Sequence, residues 1–256
     1  MKALILAAGL GTRLGPLTRQ TPKPMLPLGG KPLLERIIEL LRRNGISEVA
    51  INLHYQPDVI LRHFGSGQDW GVHLRYSYEA TLLGSAGTAL RQLAWVYPDP
   101  FLVYYGDVYS DANLTELIAR HCTSDAVATL AVHEVNDPTR CGIVEFDQSG
   151  RVQRFVEKPR ADQVFSNWAN SGIYVLNPDV LRYVSDIPSD FGRDVFPRLL
   201  ETGQHIQAHR LTGALIDIGA PEDYLTAQQL FSQTSGQAHS TRLDHLDRIE
   251  INPTTA

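Results

Sequence analysis

The sequence predicts an α/β protein built on a mostly parallel sheet with helices on both faces. Three observations predict it. Short, doubly apolar runs such as "ALILAA" and "FLVYYGD" end in glycine or a carboxylate, as buried parallel strands do. Stretches of helical period stand between them, and the connections are short.

Taken in order, 3–8 is the first buried strand. "KPLLERIIELLRRNG" (31–45) predicts a helix, with Pro32 in its first turn, Leu33, Ile37, Leu40 and Leu41 on one face, and Gly45 as the stop. "EVAINL" (48–53) is the next strand, "PDVILRHFG" (57–65) a short helix, and "HLRYSYE" (73–79) an alternating strand. Residues 87–96 return to helical spacing, 101–107 form another buried strand, 113–122 a helix and 126–135 a strand. The second half changes character: 141–159 reads as two strands around a turn at Gln148–Gly150, and 170–177 as a strand. Two helices follow, "PDVLRYVS" and "GRDVFPRLLETG", with Pro197 expected to kink or end the first turn of the latter. "HIQAHRL" and "ALIDIG" are strands, and "PEDYLTAQQLF" (221–231) is a closing helix. Residues 232–256 read as a polar C-terminal extension. No internal repeat or long linker divides the chain, so 1–231 is expected to be a single domain.

The 256 residues are 43% hydrophobic and carry a formal charge of −5 with both signs mixed, which argues against a nucleic acid partner. Cys122 and Cys141 make neither a ligand spacing nor a disulfide framework and are expected to be ordinary buried thiols. The first apolar run is too short for a secretory signal, and no stretch of 18 apolar residues occurs, so no membrane association and a cytoplasmic setting are the expectation.

The segment "GLGTRLGPLTRQTPKPM" follows the first strand. On its glycines alone it is either a tight strand-to-helix turn or a phosphate loop. It matches neither common phosphate motif: Gly15 falls one place late for G-x-G-x-x-G, Pro16 stops any helix, and no G-K-[ST] is present. What remains is a glycine loop extended by a stiff cationic arm, with the Arg13 fork and with Lys23 clamped between Pro22 and Pro24. That composition suits a triphosphate.

The segment resembles the signature loop of the sugar-phosphate nucleotidyltransferases, the NDP-sugar pyrophosphorylases, and the resemblance runs from Lys2 to about Leu230. "GSAGTA" is similar to that family's G-T-A-G element, "YGDVYSD" to its metal-binding G-D step, and "FVEKP" to its E-K-P step. "NSGIYVLNPDVL" is similar to its N-x-G-I-Y strand and "DIGAPEDYL" to its D-x-G-T-P-E-D-Y step. Six motifs occur in the family's order. Ala220 and Ser85 depart from the pattern without removing a charge. No hexapeptide repeats follow residue 230, so the β-helix of longer relatives, and its route to oligomers, is expected to be missing; a homo-oligomer stays open.

The resemblance implies a Rossmann-like nucleotidyltransferase fold, with a nucleotide-binding part at about 1–135 and a smaller mixed β region for the sugar at about 136–231. It implies transfer of a nucleoside monophosphate from an NTP to a sugar 1-phosphate, with Mg²⁺ as cofactor. Leu6, Ala8, Gly9, Gly11, Thr12, Arg13, Lys23, Glu79, Gly84 and Asp107 match nucleotide positions. Arg13 is assigned to the leaving pyrophosphate and Lys23 to the α-phosphate region; Arg19 is left as solvated. Asp107 and Asp217 match the metal pair, which as hard oxygen donors suits Mg²⁺. Asp111 is the runner-up for the metal pair and is expected to cap the helix that follows it. Gly142, Glu157, Lys158 and Asn170 match the sugar-phosphate side, with Lys158 on the phosphate and Glu157 on sugar hydroxyls. His54, His63, His73 and the remaining histidines match no motif and are read as surface or packing residues.

The resemblance implies that Glu79 faces the Watson–Crick edge of the base, with Gly84 beside it. A carboxylate only accepts, and guanine offers two donors there, so GTP is the favoured donor. "FGRDVFPRLL" and "GSAGTA" resemble the guanylyltransferase branch acting on mannose 1-phosphate or a manno-heptose 1-phosphate. The alternatives are a uridylyl- or thymidylyltransferase acting on another hexose 1-phosphate, and a catalytically silent regulatory subunit. A glycosyltransferase fits less well: "YGDVYSD" is wider than D-x-D, and the "PKP" arm would be unexplained.

Overall fold

The computed structural model describes residues 1–231; the extension at 232–256 lies outside the described residues. Its strands and helices, in chain order, are β1 (Lys2–Leu6), β2 (Pro27–Leu28), β3 (Lys31–Pro32), α1 (Leu33–Arg43), β4 (Glu48–Leu53), α2 (Pro57–Phe64), β5 (His73–Tyr78), α3 (Gly84–Arg91), α4 (Leu93–Val96), β6 (Phe101–Tyr105), β7 (Val108–Ser110), α5 (Leu114–Cys122), β8 (Ala128–Glu134), β9 (Gly142–Phe146), β10 (Val152–Glu157), β11 (Trp168–Leu176), α6 (Phe196–Glu201), β12 (Ile206–Arg210) and β13 (Leu215–Asp217). A closing helix occupies 221–231.

Nine strands form one sheet. β5, β4, β1 and β6 lie side by side, all parallel. The chain builds outward from β1 through β4 to β5, then crosses back to lay β6 on the other side of β1. That reversal is a topological switch point, where ligands of open α/β sheets bind. β11 then joins β6 antiparallel, pairing Ile173 with Tyr104 through Leu176 with Phe101. The β9–β10 hairpin, β8 and β12 complete a mixed region beyond it. Asp147 ties the hairpin turn by accepting from the Ser149 and Arg151 N–H groups at 2.9 and 3.0 Å.

Each face of the sheet is covered by its own apolar cluster. On one face α1 buries Leu33, Leu34, Ile37, Ile38, Leu40 and Leu41, against Ala3, Ile5 and Ile51 of the sheet. On the other, Leu4, Val103 and Tyr174 pack against Ala86, Ala89, Phe191, Phe196 and Leu199.

Several local expectations are corrected. The helix expected at 87–96 begins at Gly84 and breaks at Gln92 into two pieces. "PDVLRY" is a 3-10 helix, not α. Ahead of Pro197 the chain makes one π turn, Phe191–Val195, which runs into α6; proline has no N–H to donate and sits in that helix's first turn, where none is needed. Asp111 does not cap α5. Asn113 does, accepting from the Thr115 N–H, while Asp111 accepts from the Ala214 N–H at 2.7 Å. Cys122, at the end of α5, is exposed rather than buried, and Cys141 is half-buried.

Candidate active site

At the switch point the ends of β1 and β6 are drawn together. The Gly106 N–H donates to the Leu6 carbonyl at 2.9 Å, and a Cβ on Gly106 would lie 2.8 Å from that oxygen. Asp107 follows at once and projects from this seam. The short antiparallel pair β7–β13 sets Asp217 opposite Val108, and the Ile218 N–H donates to the Asp107 carbonyl at 2.9 Å. The two carboxylates are therefore neighbours by main-chain construction.

A cleft of about 290 Å³ opens beside them, with Arg13, Asp107, Gly142, Glu157, Lys158, Asn170 and Asp217 in its walls. The structure thus brings together residues from five separate motifs. The walls of the cleft and the adjacent Asp107 charge push the Asp217 carboxyl up to about 6, against the pull of Lys23 and Arg13. A carboxylate pair strained in this way is stabilised by a cation. One is already present: Lys23, only 7% exposed, places its ammonium 2.6 Å from Asp107 Oδ2.

The opening loop reaches this point by two glycine turns. Gly11 (φ 64) and Gly15 (φ 54) adopt left-handed backbone, and 3-10 turns run on either side of Gly15. The Thr18 hydroxyl donates to the Gly11 carbonyl at 3.0 Å and fastens the loop on itself. Farther along, Tyr55 Oη and Gln56 Nε2 both donate to the Arg19 carbonyl at 2.9 Å, while the Arg19 side chain is exposed as expected. Leu6, Ala8, Gly9, Gly11 and Thr12 lie along the end of β1 and the turn leaving it, outside the enclosed cleft.

The residues matched to the sugar-phosphate side sit on the mixed region. Glu157 ends β10; burial pushes its carboxyl up, and the Lys158 and Arg193 charges pull it back. Gly142 and Gly192 flank it so closely that a Cβ on either would lie 2.6 Å from Glu157 Oε2. Lys158 holds a left-handed φ of 49 directly before Pro159, a costly position for a side-chain-bearing residue. Its N–H donates to the Cys141 carbonyl at 3.0 Å, which locks that conformation. Asn170 precedes a register shift in β11, where four residues of the strand span two of β8. The bulge turns Asn170, Ser171 and Gly172 toward the cleft. The Asn170 amide donates to the Tyr174 hydroxyl at 2.6 Å, and its Oδ1 accepts from the Gly172 N–H at 3.1 Å.

Glu79 is corrected. It is 1% exposed, and its carboxylate is turned inward: Oε1 accepts from Asn52 Nδ2 at 2.9 Å and Thr88 Oγ1 at 2.6 Å, and Oε2 from the Leu83 N–H at 3.1 Å. It braces the turn that opens α3 and is not presented as an acceptor at the surface. Neither Glu79 nor Gly84 lines the enclosed cleft. The histidine reading also changes at one position, since His133 stands in the cleft wall with Nδ1 3.0 Å from Ser171 Oγ. Tyr105, Arg140, Asp190 and Arg193 line the cleft too and were missed. The "RDVFP" segment carried a signal for Arg193; the others are brought in by tertiary packing.

Comparison with known proteins bears on this arrangement. The nucleotidyl transferase family model matches residues 2–234. The chain is 39% identical over 236 residues to the probable mannose-1-phosphate guanylyltransferase 1 of Oryza sativa subsp. japonica, covering 90% of this chain and 64% of that protein. It is 35% identical over 241 residues to the UTP–glucose-1-phosphate uridylyltransferase of Synechocystis, covering 89% and 62%. The chain therefore spans somewhat less than two thirds of the length of these relatives. Among solved structures, a putative glucose-1-phosphate thymidylyltransferase from Bacillus anthracis, in complex with a sucrose, superposes with a TM-score of 0.82 at 25% identity, over 90% of this chain and 95% of that one. HddC from Yersinia pseudotuberculosis, complexed with GMP-PN, gives a TM-score of 0.74 at 29% identity, over 90% and 99%.

Proposed function

The chain belongs to the nucleotidyl transferase family, and from that premise we propose that it transfers a nucleoside monophosphate, guanylyl by preference, from an NTP to a sugar 1-phosphate of mannose or manno-heptose type. The products are an NDP-sugar and pyrophosphate. The observation that carries this reading is the Asp107–Asp217 pair, held side by side at the sheet's switch point, with Arg13 and Lys158 in the walls of the same cleft.

A sugar phosphate oxygen attacks the α-phosphorus in line. The new P–O bond forms as the bond to the pyrophosphate oxygen breaks, and no side chain needs to take a proton from the nucleophile. Positioning and charge stabilisation then carry the reaction. Arg13, with its planar fork, holds the leaving pyrophosphate. Lys23 serves the α-phosphate. Lys158 holds the sugar phosphate, and Glu157, Asn170 and the Gly142 backbone hold the sugar. The end of β1 and the glycine loop, from Leu6 to Thr12, cradle the nucleotide.

Asp107 and Asp217 fit a hard divalent cation. Among the described residues no group of three or more His, Cys, Asp and Glu gathers that could enclose a metal. Two carboxylates completed by phosphate oxygens and water are the donor set Mg²⁺ favours. When bound there, Mg²⁺ would neutralise charge building on the phosphates.

The guanine preference rests on the names of relatives, such as the mannose-1-phosphate guanylyltransferase catalytic subunit beta of Xenopus tropicalis, 36% identical over 244 residues, and on the GMP-PN bound by HddC. The Synechocystis relative supports uridylyl transfer to glucose 1-phosphate as a second reading. A cytoplasmic setting belongs to the proposal; among the described residues no helix is long and apolar enough to cross a membrane. The test is a matrix of GTP, UTP, dTTP, ATP and CTP against mannose, manno-heptose and glucose 1-phosphates, read by pyrophosphate release. The GTP and manno-type combination should be fastest. No release anywhere in the matrix would refute enzymatic transfer.

A further inference from the structure

Two segments 105 residues apart are joined here by a dense set of hydrogen bonds. The Ser85 N–H and hydroxyl both donate to Asp190 Oδ1, at 3.0 and 3.1 Å, and the Phe191 N–H donates to Ser85 Oγ at 2.9 Å. The Ala86 and Gly87 N–H groups donate to the Ser189 carbonyl at 2.9 and 3.1 Å, and the Ser189 N–H to the Leu83 carbonyl at 2.9 Å. Gly84, with a left-handed φ of 76, lies so close to Ser189 that a Cβ would strike the Ser189 main chain. The turn opening α3 cannot shift without moving residues 189–191.

That same stretch is a wall of the sugar side. Asp190, Gly192 and Arg193 line the cleft, and Gly192 packs against the Glu157 carboxylate. Phe191 is fully buried, its ring 5.7 Å from Tyr174 and 5.6 Å from Phe196, which gives the segment a fixed bearing. A second link runs beneath. The Tyr105 hydroxyl interacts with the Ser85 and Tyr174 hydroxyls, and Tyr174 receives the Asn170 amide at 2.6 Å. A plain helix cap would satisfy the α3 N–H groups without reaching a second binding wall.

We propose that Ser85 and Asp190 are positioning residues that couple the nucleotide and sugar subsites, so that occupation of one raises affinity at the other. The inference rests on the proposed function, taken with Gly84 as one of the positions matched to the nucleotide and with Glu157 and Asn170 on the sugar. A base docking on the turn fixes Ser85, Ser85 fixes Asp190, and Asp190 fixes the wall that receives the sugar. By linkage the sugar phosphate must strengthen nucleotide binding by the same factor.

The experiment is calorimetric titration with a GTP analogue bridged by methylene between the α- and β-phosphorus, and with mannose 1-phosphate. Each is titrated alone and in the presence of the other, for wild type, Ser85→Ala, Ser85→Thr and Asp190→Asn. Wild type should bind the second ligand roughly fivefold or more tightly once the first is present. Ser85→Ala should retain single-ligand binding while the coupling factor falls toward one; Asp190→Asn should lose the coupling as well, with weaker sugar phosphate binding because Asp190 lines the cleft. Ser85→Thr, which restores the hydroxyl, should restore the coupling. Ser85→Ala leaves every main-chain donor in place and carries the test if Asp190→Asn fails to fold. Coupling that persists in a folded Ser85→Ala protein would overturn the proposal, as would a wild type that binds both ligands independently. A wild type that binds neither a GTP nor a UTP analogue would sink the proposed function, and the coupling with it.

Discussion

The Lys23 ammonium lies 2.6 Å from Asp107 Oδ2, so the proline-clamped arm of the opening loop ends on the carboxylate that follows β6. Lys23 is therefore not a free cation on a polar loop, and its removal acts on both stability and rate. Lys23→Ala should lose transition-state stabilisation of about 3 kcal/mol, roughly a hundredfold in rate, as for other charged groups facing developing phosphate charge. It should also lower thermal stability. Asp107 is left beside Asp217 without its partner, but with 33% of its side chain exposed, the cost should be about 1 kcal/mol, below that of a fully buried pair. Turnover near wild type in the purified variant would remove Lys23 from the site. An unchanged melting temperature would show the ion pair to be inert.

Asp107→Asn and Asp217→Asn should each abolish divalent-dependent turnover in a folded protein. The second variant has a further signature in chelator. The crowding of the cleft and then the Asp107 charge raise the Asp217 carboxyl to about 6, so its ionised form is disfavoured in the folded state, an effect that solvent moderates because the residue is exposed. A carboxyl raised in this way contributes stability at low pH and loses it as pH climbs through the folded value. Asp217→Asn should therefore melt higher than wild type at pH 8 without metal. The gap should close as pH falls through about 6 toward the ordinary aspartate range. Melting curves across pH 4–8 check this, and a constant gap would mean that the repulsion is not felt.

How much of this site was legible in the sequence depended on the range of the interactions. Gly9 and Asp107 could be placed at strand ends because buried parallel strands are continuous apolar runs with abrupt polar ends. α1 was legible for the same local reason, its apolar period being closed by Gly45. Glu79 was not: a strand-end glutamate next to polar residues looks free, and only the folded neighbours Asn52 and Thr88 turn it inward. Asp190 gains meaning from Ser85, and His133 from the register that sets it opposite Ala169. Neither relation has a local signature. The π turn before Pro197 is likewise a tertiary solution, fitting the Phe191 and Phe196 rings into one stack 5.6 Å apart.

Lys158 separates stability from function. Its φ of 49 before Pro159 is tolerated by glycine and disfavoured for any residue with a Cβ. Lys158→Gly and Lys158→Ala should both lose sugar-phosphate binding, because both lack the ammonium. They should differ in stability, with the glycine variant more stable than the alanine variant by about 1 kcal/mol, the usual cost of left-handed backbone. Urea unfolding of the pair measures the difference. Alanine equal to or more stable than glycine would show that the backbone there carries no strain.

Gly192 offers a selective probe of the proposed sugar wall. A Cβ there would lie 2.6 Å from Glu157 Oε2 and 3.3 Å from Glu157 Cδ, while Phe155 is in ordinary contact at 3.5 Å. The atoms that must yield are the far end of one side chain, and Gly192 does not require a left-handed backbone. Gly192→Ala should therefore fold normally and displace the Glu157 carboxylate. Gly142→Ala meets the Phe155 ring at 2.8 Å as well, a buried aromatic that cannot retreat, and should lose stability besides. If Glu157 accepts sugar hydroxyl hydrogen bonds, its displacement should cost about 1–2 kcal/mol in sugar 1-phosphate affinity, roughly five- to thirtyfold in KM. The nucleotide KM should stay near wild type, since Gly192 touches only the sugar wall. Steady-state kinetics with each substrate varied in turn give both constants. A sugar KM unchanged in Gly192→Ala would take Glu157 out of sugar recognition, and an equal rise in both constants would point to general disturbance of the cleft.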